Sequence, residues 1–316
     1  MSTATKVAQT RLMSGDELSA DDAWSTLRRA GVKAVGRDAF IRFRYADGFS
    51  HARALALQVC LSVIPAVIAF VGLSAMLHHE GGGQALEGIL ERVTPGASRK
   101  IVRAALETGR ARAQDDSLAL WLGLAAALVS MATAMGQIER GANRIYGVER
   151  DRPSLRKYGN ASLLVLISGL PMAAGMIVTV AGGAVGDSLG QVYHWSAGEH
   201  TAWQVARWPV GVLLALTSAS AIFRRAPRRR QPSRSWLAVG AAVSLALWAG
   251  LSALLGWYVG DGGGIGATYG PLTAVIALMV WANLTSIALF LGLAAAAQLE
   301  ACRTSTRAPV RPDPGT

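Results

Sequence analysis

The sequence predicts an all-α integral membrane protein with six transmembrane helices, an N-terminal amphipathic helix and an external helical hairpin between the first two spans. Three observations carry this. First, hydrophobic residues make up 52% of the 316-residue chain and charged residues only 16%, where a soluble domain carries about 25%. Second, six apolar stretches lie at about 54–77, 118–138, 160–184, 207–223, 236–259 and 270–298. A helix crossing a hydrocarbon core of about 30 Å needs roughly 20 residues, and backbone in lipid must satisfy its own hydrogen bonds, so these stretches read as helices. None holds Asp, Glu or Lys, and the one Arg, Arg207, stands at a boundary. Third, Lys and Arg crowd alternate connections. Loops rich in these residues stay cytoplasmic, which sets the orientation.

Residues 1–20 are polar and expected to be a disordered tail; 21–300 form the membrane domain and 301–316 a second disordered tail. Asp21 or Asp22 can cap a helix starting at Trp24. Trp24, Leu27, Gly31, Ala34 and Val35 share one face of it, with Arg28, Arg29, Lys33 and Arg37 around the others, as in a helix lying on a membrane surface. The first span carries Gln58, Ser62 and Pro65. Residues 78–117, external on this reading, are the exception to that alternation: Arg92, Arg99, Lys100, Arg103, Arg110 and Arg112 stand there together with six Asp or Glu. Leu86, Ile89, Leu90 and Val93, then Ile101, Ala105 and Leu106, recur at helical spacing on either side of Pro95, giving the hairpin. The second span carries Thr133 and Gln137.

Arg140, Arg144, Arg150, Arg152, Arg156 and Lys157 fill the next link, and Arg224, Arg225, Arg228, Arg229, Arg230 and Arg234 fill the link between the fourth and fifth spans. Residues 185–206 and 260–269 hold no Lys or Arg. The basic links are therefore expected inside, with both termini cytoplasmic. Pro171 and Pro209 kink the third and fourth spans, Pro271 opens the sixth, and Gly182-xxx-Gly186 and Gly256-xxx-Gly260 permit close helix approach.

The net charge of +11 could suggest nucleic acid, but the charges sit at the edges of apolar runs. Anionic phospholipid headgroups are the expected partner and nucleic acid is not, with homo-oligomerisation left open. Arg140, Arg144, Arg228, Arg229 and Arg230 are the candidate headgroup ligands. Gln58, Ser62, Pro65 and Asn283 are the candidate lining of an internal cavity; interhelical hydrogen bonding is the simpler role for such residues. No metal or cofactor is expected. His78, His79 and Glu80, like His194 and His200, read as interfacial, and Gly81–Gly83 and Gly262–Gly264 lack the Lys-Ser/Thr of a phosphate loop. Glu139, Glu149 and Asp151 stand among arginines and read as helix-end ion pairs rather than a catalytic set. Cys60 and Cys302 are too differently placed to imply a disulfide.

Four pieces of sequence resemble one family in its own order. Ile138-Glu139-Arg140-Gly141-Ala142-Asn143-Arg144-Ile145-Tyr146-Gly147-Val148 resembles the "alNriygv" signature of the YihY/virulence factor BrkB family. Leu61-Ser62-Val63-Ile64-Pro65 resembles its "LSlfP", Phe223-Arg224-Arg225-Ala226-Pro227 its "yrfvP", and Tyr269-Gly270-Pro271-Leu272 with Val280-Trp281 its "YGslaa…llW". The chain departs at Leu57 and Gln58, where the family often has two aromatics, and at Gly292-Leu293-Ala294, where a "GaE" is common. The resemblance implies a six-helix inner-membrane protein and supplies no catalytic residues; the family's older ribonuclease label is generally regarded as mistaken. The leading functional reading is transport or handling of a lipid-like or amphiphilic molecule. The alternatives are a non-transporting envelope scaffold or regulator and, remotely, a ribonuclease.

Overall fold

The computed structural model describes residues 5–13, 19–78, 117–180, 182–183, 186, 190, 193–259, 272–304 and 307–312. The expected hairpin falls at 79–116, outside the described residues, as do His79, Glu80, both glycine runs and Pro271. In chain order the elements are β1 (Thr5–Val7), α1 (Ala20–Ala30), α2 (Val32–Tyr45), α3 (Gly48–His78), α4 (Ser117–Ile145), α5 (Ser154–Val180), α6 (Ala197–Arg225), α7 (Arg234–Trp257), α8 (Leu272–Arg303) and β2 (Val310–Pro312). Five of them, α4 to α8, are long and apolar enough to cross a membrane. The remaining expected span, 54–77, lies within the 31-residue α3. Leu57, Leu61, Leu122, Val129, Leu170 and Leu213 are all exposed. Water would penalise such faces, whereas lipid is their natural solvent.

Two compact units divide the chain. One comprises Met1–Cys60, Met131–Ser168 and Leu216–Thr316; the other comprises Leu61–Ser130 and Gly169–Ala215. In the first, α7 and α8 pair closely. A Cβ on Gly240 would stand 2.9 Å from the Gly292 carbonyl oxygen and 2.7 Å from the Ala296 Cβ, so the backbones meet directly. Ser244 Oγ donates to the Ala288 carbonyl at 2.8 Å across the same seam. In the second unit, Trp203 Nε1 donates to the Gly182 carbonyl at 2.6 Å. The Gly-xxx-Gly pairs read from the sequence are not the tightest backbone seam: Gly186 faces the Trp203 ring, Gly256 has nothing near it, and Gly260 is not described.

Several boundaries correct the sequence reading. Ser19, not Asp21 or Asp22, caps α1, forming a capping box in which Asp22 answers from the third position. The single amphipathic helix is two helices, because Gly31 at φ +86° takes the chain out of α1. α1 turns Ala23 and Thr26 inward against the protein and leaves Trp24 exposed. α6 begins ten residues earlier than the fourth apolar stretch, within the segment read as a loop. Ser196 and Glu199 make the capping box there: Ser196 N–H donates to Glu199 Oε2 at 2.7 Å and Glu199 N–H to Ser196 Oγ at 3.4 Å. Within the two tails expected to be disordered, β1 and β2 pair antiparallel, with Lys6 opposite Arg311.

Candidate functional site

The signature segment at the end of α4 organises the basic end of the first unit. Gly147, at φ +73°, lets the chain leave the helix, and Val148 N–H returns to the Asn143 carbonyl at 2.8 Å. The N-terminal segment runs against this turn: a Cβ on Gly147 would stand 2.7 Å from the Gln9 Cα. Thr10 N–H donates to the Tyr146 carbonyl at 3.4 Å. The glycine is thus required twice, by its dihedral and by the passing strand.

Buried charge fills the space behind the turn. Arg42 on α2 and Glu300 on α8 are fully buried. Arg42 donates from Nε to Gln298 Oε1 at 3.1 Å and from Nη1 to the carbonyls of Ala8 at 2.9 Å and Ile145 at 3.1 Å. Burial pulls its guanidinium down to about 10, so it remains charged at neutral pH. Arg229 reaches Glu300 Oε2 at 2.7 Å, with side-chain exposures of 7% and 0%, and donates from Nη1 to the Thr10 hydroxyl. It also lies over the Tyr146 ring at 4.8 Å. Burial, then the Glu300 charge, pushes the Tyr146 phenol well above its usual range, so it stays neutral. Among the described residues Arg42 Nη2 is buried without a hydrogen-bond partner, while the Tyr146 phenol and the Glu300 carboxylate face one another.

Asp151 is the second hub. Asn143 Nδ2 donates to it at 2.9 Å, and Lys157 and Arg140 approach at 3.3 and 3.5 Å. Burial raises the Asp151 carboxyl, but these donors outweigh it, Asn143 first, and hold the group below its usual range. Asn143 Oδ1 accepts from the Arg228 backbone N–H at 2.7 Å, tying the 146–153 link to the 226–233 link. Arg152 pairs with buried Glu139 at 2.8 Å and donates to the carbonyls of Arg225, Ala226 and Pro227, satisfying the end of α6. Of the three acids expected in helix-end pairs, Glu139 and Asp151 pair beside the ends of α4 and α5, whereas Glu149 reaches from the link to Lys6 on β1 at 3.4 Å.

Beside this hub is a half-open cavity of about 260 Å³ lined by Gln58, Thr133, Gln137, Arg140, Lys157 and Tyr158. Gln58 Nε2 donates to the Thr133 hydroxyl, and Gln137 Nε2 lies 3.3 Å from His51 Nδ1. Burial lowers the His51 pKa, with Arg144 and Arg140 acting in the same direction against Asp47. The cavity is polar inside and cationic at one rim, and Arg140 and Lys157 share one carboxylate between them.

Of the residues expected to line a cavity, Gln58 faces this one; Ser62, Pro65 and Asn283 are half-buried and not part of its lining. Among the expected headgroup ligands, Arg140, Arg144, Arg228 and Arg230 are exposed. Arg228 Nη1 already donates to the Asp151 carbonyl at 2.7 Å, and Arg229 is turned inward onto Glu300. Sequence reasoning missed Arg42, Gln298 and Glu300. The available signal was that Glu300 is the one acid in the whole of Leu272–Arg303. Among the described residues, no three His, Cys, Asp or Glu side chains converge as a metal site.

The model of the family described as Virulence factor BrkB matches residues 39–314. The chain is 26% identical over 256 residues to the ribonuclease-like protein YfkH of Bacillus subtilis, covering 81% of this chain and 91% of that one. It is 25% identical over 261 residues to a UPF0761 membrane protein of Alkalilimnicola ehrlichii, covering 79% of this chain and 55% of the other, so it spans about half that relative's length. No solved structure matches the chain.

Proposed function

Because the chain belongs to the virulence factor BrkB family, we propose that it is a six-span protein of a bacterial inner membrane that handles or transports a lipid-like amphiphile. The carrying observation is the cavity at Gln58, polar within, cationic at the rim through Arg140 and Lys157, and set in helices whose outer faces are apolar. An anionic headgroup would compete with Asp151 for those cations while acyl chains stay against the exposed leucines. Pairing of β1 with β2 supports the six-span count. Terminal segments that pair lie on one side, which needs an even number of crossings, and α3 with the five candidate helices makes six. Both termini are cytoplasmic on this reading, since the basic links gather there.

One observation favours the non-transporting scaffold. Arg229, Arg152 and Arg228 spend their donors on Glu300, Glu139 and backbone carbonyls, as structural cross-braces do. The test is leaflet exchange of a fluorescent phospholipid in vesicles holding the purified protein. Wild type is expected to accelerate exchange, and Gln58→Trp, which fills the cavity, to stop it while leaving the melting temperature near wild type. No acceleration by wild type would favour the scaffold. Equal acceleration by both proteins would remove the cavity from the route. Cleavage of RNA by rigorously purified protein with added metal would instead revive the ribonuclease reading.

A further inference from the structure

A second cleft lies where α1 meets the end of α8 and the segment that follows it. It holds about 500 Å³, shares no residue with the Gln58 cavity, and is lined by Asp22, Thr26, Arg29, Cys302, Arg303 and Arg307. Three guanidinium groups against one carboxylate leave its wall with a net charge of +2.

Few of their donors are committed. Arg29 folds back on Ser25, from Nε to the carbonyl at 3.3 Å and from Nη2 to the hydroxyl at 3.2 Å. Arg303 approaches Asp22 only to 3.9 Å, and Arg307 Nη2 meets the Ala30 carbonyl at 3.4 Å. A guanidinium carries more N–H groups than these contacts use.

The wall is nonetheless fixed by buried groups. The Arg307 carbonyl accepts from Gln298 Nε2 at 2.8 Å, and Gln298 is fully buried and held by Arg42. Buried Ala23 and Thr26 seat α1 beneath Arg29. The Arg303 guanidinium lies 5.9 Å above the ring of buried Trp236. Holding like charges together is unfavourable unless an anion offsets the repulsion. Guanidinium forks match phosphate oxygens in geometry as well as charge.

We propose that this cleft binds a phosphate-bearing anion, with Arg29, Arg303 and Arg307 as its ligands. Lipid headgroups and free phosphate compounds carry the same chemistry, and the experiment separates them. Full-length protein lacking Cys60 is used, so that Cys302 on the cleft wall reports occupancy through its rate of maleimide labelling. One arm titrates inorganic pyrophosphate in detergent at constant ionic strength, following both labelling and thermal unfolding. The other compares phosphatidylcholine nanodiscs with and without phosphatidic acid.

Saturable protection of Cys302 is expected in at least one arm. In the pyrophosphate arm it should come with a rise in melting temperature, because a ligand binding only the native state stabilises it. Arg29→Gln and Arg307→Gln should each raise the half-saturating concentration about tenfold, the order lost with one hydrogen bond to a charged group. Arg307→Gln keeps the backbone carbonyl that Gln298 uses, so it leaves the fold in place. Protection by pyrophosphate assigns a soluble phosphate compound, and protection by phosphatidic acid alone assigns a headgroup. No protection in either arm, or protection unchanged in both variants, overturns the site.

Discussion

Asn143 joins two links at once, through Asp151 on one side of its amide and the Arg228 backbone N–H on the other. Asn143→Ala removes the acceptor of the part-buried Arg228 N–H and one donor to the Asp151 carboxylate, at about 1 kcal/mol for each lost hydrogen bond and more for the one to the charged group. We expect a lower melting temperature in detergent with membrane insertion intact. An unchanged melting profile with lost lipid exchange would make Asn143 a functional residue instead. Asp151 gives a pH test. Its folded-state pKa is depressed, so its stabilisation is fully present above the ordinary value of 3.8 and is lost as pH falls through the folded value. Asp151→Asn should therefore be less stable than wild type at pH 7, and the gap should close in acid. A gap that persists unchanged below pH 3 would show that charge on Asp151 is not what stabilises. At this scale the sequence was only partly legible. The signature residues Asn143, Tyr146 and Gly147 were visible as a motif. Their partners were not, because Arg229 meets Glu300 across 71 residues and no local pattern records such a pairing.

Element positions were easier to read than element ends. Over its described residues, each expected span falls on helix, since hydropathy needs only composition. The helices run on past the apolar windows: α4 continues to Ile145 and α5 starts at Ser154, because polar residues outside the hydrocarbon can still be helical. Missed starts share a cause. The boxes Ser19 to Asp22 and Ser196 to Glu199 are capping signals lying in polar stretches that hydropathy ignores. The α7–α8 seam is no strict Gly-xxx-Gly pair: it rests on Gly240-xxx-Ser244 and Gly292-xxx-Ala296, the broader pattern of small residues four apart. Gly240→Leu should force the two helices apart, at about 1–3 kcal/mol for overpacking. Thermal unfolding in detergent would measure the cost. A Gly240→Leu melting temperature equal to that of wild type would contradict this seam.

At the scale of the whole molecule, the basic links 139–159 and 224–235, set against 185–206 and 260–269 without Lys or Arg, predict one orientation, whereas the paired terminal strands require only that both ends lie on one side. A cysteine at exposed position 230 should resist an impermeant thiol reagent in intact spheroplasts, while one at 193 should react, both in a chain lacking Cys60 and Cys302. The reverse pattern would invert the topology. An anionic headgroup held at the rim of the Gln58 cavity would show itself as lipid retained by the purified protein. Each cation near an anionic surface contributes about 1 kcal/mol, and salt weakens that attraction. Native mass spectrometry at matched salt would compare wild type with Arg140→Gln/Lys157→Gln and with Arg228→Gln/Arg230→Gln. Wild type should retain anionic phospholipid, the rim variant should lose it, and the 228/230 variant should lose less. Equal retention by wild type and the rim variant would contradict a headgroup held at that rim.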